Sequence, residues 1–359
     1  MTVGPLEARI VRQDCAEANV FPMFDALPSS ERTSLPHART GPSRVVRIDG
    51  CDEPAEGFYV YRLRRGGDEH VGVVADVAVE AFVGGQVRGH EEVQRERVDA
   101  LVQHFESTPA RTELVALLHD SGPAVLAAVA AATAGTPVLE LTGPEGWEQT
   151  VWPVPEREAA ALAEELSGAA LYVADGHHRV AASVSAWRRA GQPAGASVMC
   201  VVYPLDGLTL LAFHRRLVGP VDPEQLMAVL GGELDVVALA DPAAATGCFA
   251  LYVDGGWWDV SYAGDRAPGV AGLDISILDA HVLRPLLGDL AGDASRVEIA
   301  LALSPLEELT AACDEDGGAL FLLRPPALDQ LTEVADRGEV MPPKTTYFDP
   351  KPFAGIFLR

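Results

Sequence analysis

The stretch 171–190 constrains this chain most. Leu171-Tyr172-Val173-Ala174 is a short apolar run that reads as a buried strand, and it ends in Asp175-Gly176. His177-His178-Arg179-Val180-Ala181-Ala182 then opens a helical pattern that continues through Ala190. A strand delivered into a helix by an Asp-Gly turn belongs to an α/β layer. The helix, however, begins with the wrong charges. A helix N-terminus carries the positive end of the macrodipole, so stability alone favours Asp or Glu there. Two histidines and an arginine suit that position if an anion supplies the pairing. Backbone N–H groups, His178 and Arg179 would then converge on a phosphate, with Gly176 allowing close approach. Asp175, at the strand end, would face Mg²⁺ or a hydroxyl. The competing reading is an ordinary Asp-Gly turn with Arg179 on the surface. A metal shared by His177 and His178 is disfavoured, because adjacent helical residues point apart.

Around this unit the middle of the chain alternates. The pattern predicts strands over 113–118, 138–142, 150–154 and 197–203, with helices over 123–134 and 156–166. Upstream, 44–48, 58–64 and 70–75 alternate like strands, and Gly66-Gly67-Asp68 reads as a hairpin turn. The turn signals Phe21-Pro22 and Pro28-Ser29-Ser30-Glu31 mark an irregular start. The last third mixes strands over 208–218, 234–239, 248–253, 257–262, 297–303 and 319–323 with helices over 274–287 and 327–337. The expected class is therefore α/β passing to α+β. The expected parts are a mixed β segment over 1–80, a core over 81–205 and an α+β domain over 206–359, with no internal repeat.

Composition excludes several classes. The 359 residues are 48% hydrophobic, enough for a sizeable core, and no apolar run approaches the ~18 residues of a membrane-spanning helix. The first residues carry Glu7 and no apolar core of a signal peptide, so a cytoplasmic protein is expected. Five scattered cysteines form no C-x-x-C pair and read as reduced, packed thiols. A net charge of -25 argues against nucleic-acid binding. Lysine is so rare that its two occurrences, Lys344 and Lys351, are informative.

Two further clusters carry chemistry. Gly89-His90-Glu91-Glu92 opens an amphipathic helix predicted to run through Phe105, whose apolar side is Val93, Val98, Leu101, Val102 and Phe105. Glu91 and Glu92 suit a helix N-terminus electrostatically, and Glu91 is also a candidate general base. Pro342-Pro343-Lys344-Thr345-Thr346 joins a stiff approach to a cation and two hydroxyls able to grip a carboxylate or phosphate, or forms an ordered surface tail.

Asp-Gly-His-His-Arg after a short apolar strand resembles the signature of the ParB/sulfiredoxin-like superfamily. With His90-Glu91 upstream and Pro343-Lys344-Thr345-Thr346 near the end, the chain resembles the free serine kinases more narrowly. Along nearly its whole length, including 273–278 and 341–357, it resembles their larger relatives in the DUF1015 family. The resemblance implies a ParB/sulfiredoxin-like nucleotide-binding core, enlarged by an insertion between Glu91 and Asp175. It implies ATP or ADP and Mg²⁺ as cofactors, and free serine or a similar hydroxy-amino acid as the small-molecule partner. Glu91 would be the catalytic base, Asp175 a metal-binding and catalytic residue, and Gly176, His177, His178 and Arg179 the nucleotide site, with His178 also catalytic. Lys344, Thr345 and Thr346 would bind the amino acid. Sulfiredoxin chemistry requires a cysteine where His177 stands. A ParB-like switch, or a nucleotide-binding regulator without kinase activity, remains the alternative class.

Overall fold

A computed structural model describes residues 2–22, 50–107, 111–143, 146–288, 295–301 and 303–359. The chain divides into two compact units, residues 1–209 with 348–359, and residues 210–347. The expected strand over 44–48 and the Pro28 to Glu31 signal lie outside the described residues.

The first unit is built from β1 (Val3–Gly4), β2 (Leu6–Ile10), β3 (Ala55–Gly57), β4 (Tyr59–Arg65), β5 (Asp68–Ala78), β6 (Val87–Arg88), β7 (Val115–His119), β8 (Leu139–Thr142), β9 (Glu148–Pro153), β10 (Leu171–Asp175) and β11 (Ser197–Pro204). Its large sheet runs β6-β10-β7-β11-β5-β4-β9-β8, with β1 added on β5. The sheet is mixed: β6 lies parallel to β10 and β7 to β11, while β10–β7, β11–β5 and β5–β4 are antiparallel. The β4–β5 hairpin turns at Gly66 as its sequence signals. It does not stand apart as a segment over 1–80, because β5 pairs with β11 from Ser197 to Val202 and so lies inside the sheet. One apolar face, with Val73, Ala75, Val115, Leu117, Leu171, Val173 and Val202, packs against Val125 and Ala128 of helix Pro123–Thr133. Leu162 and Leu166 of helix Glu156–Gly168 join the same core, and helix His177–Arg189 adds Val180, Val184 and Trp187.

In the second unit, after β12 (Thr209–Ala212), come β13 (His214–Leu217), β14 (Leu234–Leu239), β15 (Phe249–Val253), β16 (Gly256–Tyr262), β17 (Val297–Ala300) and β18 (Ala319–Leu323). They form an antiparallel sheet in the order β14-β16-β15-β18-β13-β17. Helix Leu306–Asp316 seats Cys313 against Tyr252 and Leu320. Residues 274–287 form a continuous helical stretch whose middle turn, Asp279–Leu283, has π geometry. The strand expected over 208–218 is two strands interrupted at Phe213. Helices Pro223–Leu230 and Leu306–Asp316 were not expected from the pattern. β19 (Thr346–Asp349) returns the chain, and β20 (Phe357–Leu358) joins β2 and β3 in the first unit.

The first unit's sheet tolerates one residue only at position 72. A Cβ there would lie 2.7 Å from the Val201 side chain and 2.9 Å from the Tyr203 ring. Gly72→Ala should therefore lower stability by about 1–3 kcal/mol, the usual cost of overpacking. A lower urea midpoint at unchanged denaturant slope would register it.

Candidate functional site

Strand β10 carries Asp175 at its C-terminal end, and Gly176 makes the turn into helix His177–Arg189 with φ 106°. That left-handed conformation favours glycine. A Cβ at 176 would also lie 3.1 Å from the Arg179 guanidinium, so the turn is closed around that side chain. Arg179 is buried and curls back under its own turn. Its Nη1 donates to the Leu114 carbonyl at 2.5 Å and its Nη2 to Asp175 Oδ2 at 2.5 Å. The other carboxylate oxygen, Oδ1, accepts from Lys351 Nζ. Asp175 is thus held between two buried cations. Burial alone would raise its carboxyl, but Lys351 and then Arg179 outweigh burial and hold it well below the usual carboxylate range.

The two histidines face the Glu91 loop. His90 N–H donates to His177 Nε2 at 3.3 Å, and Gln94 N–H donates to His178 Nε2 at 3.0 Å. With Nε2 as acceptor, the neutral His177 ring carries its proton on Nδ1, which lies 3.4 Å from Glu91 Oε2. His90 is itself buried, its ring centroid 4.6 Å from that of His177 and 6.4 Å from that of Phe348. Burial, and next the neighbouring His177, hold its imidazole well below the usual range. The expected helix start at Glu91 moves to Arg95, and in the loop before it the His90 and Gln94 N–H groups are given to imidazoles. Of its expected apolar side only Val102 is buried, and Val93 is exposed.

Glu91, Asp175, His177, His178 and Arg179 are therefore gathered in one place, and the structure adds Lys351, which sequence reasoning noticed for its rarity but left out of the site. His178 and Arg179 were expected to hold nucleotide phosphates. In this structure the His177 and His178 rings accept from the Glu91 loop and the Arg179 guanidinium donates to Asp175. The N–H groups of the first turn have no acceptor inside the helix and are what the turn offers an anion.

Asp175 as a Mg²⁺ ligand meets a direct obstacle, since both its oxygens already accept from cations. Among the described residues no group of three His, Cys, Asp or Glu side chains is placed to hold a metal ion. As arranged, these residues do not fit direct coordination.

Lys344, Thr345 and Thr346 belong to the second unit. Lys344 has a left-handed backbone (φ 57°), and its Nζ sits 5.3 Å from the Phe213 ring centroid. Thr345 is buried and donates from Oγ1 to the Pro342 carbonyl at 2.7 Å. Arg215 Nη2 donates to the Pro343 and Lys344 carbonyls at 2.8 and 3.1 Å, so the whole turn is fixed. Thr346 begins β19.

A family model described as "Protein of unknown function (DUF1015)" matches residues 51–280. The chain belongs to that family. No curated protein matches it. Among solved structures it is similar to a conserved hypothetical protein from Pyrococcus furiosus, with 13% identity over 80% of this chain and 93% of that one and a TM-score of 0.39. It is similar to a free serine kinase variant in complex with ADP, with 13% identity over 80% and 92% and a TM-score of 0.40. A C-terminally truncated SbnI from Staphylococcus aureus shows 12% identity over 77% and 82% and a TM-score of 0.40. No helix among the described residues is long and apolar enough to cross a membrane.

Asp175→Asn leaves Arg179 and Lys351 buried without their carboxylate and should cost about 3–5 kcal/mol at neutral pH. Because the folded carboxyl sits below its unfolded value, its stabilisation is complete above about pH 4 and fades as pH falls further. Urea midpoints measured against pH should show that loss in the parent protein and a flatter acid limb in the variant. His177→Ala and His178→Ala should each speed amide hydrogen exchange, at His90 and Gln94 respectively, while β7 and β11 stay protected.

Proposed function

We propose that the protein transfers a phosphoryl group from ATP or ADP to the hydroxyl of free serine or a similar small hydroxy-amino acid. One observation carries this reading: the Glu91 loop is bound to the first turn of the helix that follows Asp175-Gly176. A candidate base thereby stands beside an anion-ready helix terminus, the pairing that phosphoryl transfer to an alcohol requires. The core is of the ParB/sulfiredoxin-like kind on this reading, and the motifs supply the choice of serine.

In the proposed reaction Glu91 accepts the acceptor's hydroxyl proton. The hydroxyl oxygen forms a bond to the terminal phosphorus, the bond from that phosphorus to the bridging oxygen breaks, and the shortened nucleotide departs. His177 Nδ1–H orients the Glu91 carboxylate, and the imidazoles keep its loop in register with the turn. The backbone N–H groups of the turn bind phosphate oxygens, with Arg179 and Lys351 as the nearby positive charge. Lys344, Thr345 and Thr346 are proposed, from the motif, as contacts to the amino acid.

The test is a product assay with ATP or ADP and a panel of hydroxy-amino acids. Glu91→Gln should bind nucleotide as the parent does and lose transfer by about 10²-fold or more. Full activity in that variant would remove Glu91 from the role. Bound nucleotide with no phosphorylated product from any acceptor would favour a regulator instead.

A further inference from the structure

The charge arrangement at Asp175 conflicts with the metal that the motif resemblance implies. Each carboxylate oxygen has its own cation, Arg179 on one side and Lys351 on the other. Direct coordination of Mg²⁺ by Asp175 would require one of them to leave. Arg179 is tied at its other end to the Leu114 carbonyl and encloses the Gly176 turn. Lys351 is no freer to go. It is buried along with Pro350, Pro352 and Phe353. Just beyond it Phe353 N–H donates to the Tyr61 hydroxyl at 3.3 Å, and Ala354 exchanges backbone hydrogen bonds with Phe21 at 3.0 and 3.1 Å. Withdrawing the ammonium means unpacking this segment and leaving Asp175 short of charge. Asp349 also lies near Lys351, but it has Arg65 and His70 beside it.

Resting on the proposed nucleotide site, we infer that the Lys351 ammonium occupies the metal's place at Asp175 and stays there when nucleotide binds. The phosphates then meet a protein-borne cation beside the helix terminus, and no divalent ion bridges them to Asp175. An ammonium is a compact point charge with three donors, so it suits both a carboxylate and a phosphate oxygen. Lys351 touches the nucleotide on this inference and is a binding residue of the site.

The experiment is ADP titration by calorimetry, with Mg²⁺ and with EDTA, on the full chain and on Lys351→Met. The parent should bind ADP in both conditions with affinities within about threefold. Lys351→Met should weaken ADP in EDTA by about tenfold or more, the size of one charge-assisted hydrogen bond. Thermal melting of the variant checks that it is folded. Water-proton relaxation with Mn²⁺ in the absence of nucleotide gives a readout that needs no lysine variant: the Mn²⁺ signal should be the same for the parent and for Asp175→Asn, with thermal melting again checking that the variant is folded. The inference is overturned if the parent binds ADP only with Mg²⁺, or if Asp175→Asn abolishes a Mn²⁺ signal that the parent shows. Absence of ADP binding in both conditions would overturn the nucleotide reading itself, and this inference with it.

Discussion

A single largely buried carboxylate joins otherwise separate parts of the first unit. Asp175 closes β10, Arg179 stands in the first turn of the following helix, and Lys351 comes from the segment that returns to this unit after residue 347. Through Arg179 the cluster also reaches the carbonyl of Leu114, just before β7. Buried ion pairs contribute little net stability when compared with apolar packing, but losing one member leaves an uncompensated charge that costs several kcal/mol. The triad therefore specifies more than it stabilises. It fixes which strand end, which helix turn and which tail segment meet, and any arrangement that separates them leaves a charge buried alone.

The histidines that follow are the second consequence of this fixed turn. A helix start enriched in imidazole and guanidinium suits an anion electrostatically, yet His177 and His178 act as acceptors. They take the N–H groups of a neighbouring loop, and that loop carries Glu91. The turn thus uses its side chains to organise the protein around the backbone N–H groups that the proposed reading gives to phosphate. Preorganisation of this kind matters to transfer chemistry, because a base misplaced by about 1 Å can cost two orders of magnitude in rate.

Much of this was legible in the residues. The β4–β5 hairpin, the strands β14 and β18 and the strand-turn-helix at 171–189 follow their periodicity and turn signals closely. What escaped was weakly patterned or decided by tertiary contacts. Helix Leu306–Asp316 buries only Cys313, so it has almost no apolar stripe to read. Helix Pro223–Leu230 buries only Leu226 and Leu230, although Asp222 caps it through hydrogen bonds to Glu224 and Gln225 N–H, a signal the sequence did contain. The first residues of the expected helix at 91 are loop, and two N–H groups there, those of His90 and Gln94, go to imidazoles distant in sequence, contacts that no local rule could show. The choice between the two lysines was likewise tertiary: Lys344 lies over an aromatic ring, while Lys351 is buried on Asp175.

The two cations on Asp175 are not equivalent, and their difference suits the site. Arg179 has a planar fork, and it spends one arm on a backbone carbonyl and the other on the carboxylate. That bond pair has a fixed direction, so it sets the geometry of the turn. Lys351 supplies a charge without a preferred plane, at the end of a stem held in apolar packing. In a chain of net charge -25, a phosphate approaching from solvent meets general repulsion, and only local positive charge can offset it. Burying the lysine beside a helix terminus gives that charge a low-dielectric setting, where it acts more strongly than a surface lysine would. The same burial requires Asp175 beside it, since an unpaired ammonium would lose its proton or its place. The carboxylate is thus as much the support of the cation as the cation is of the carboxylate.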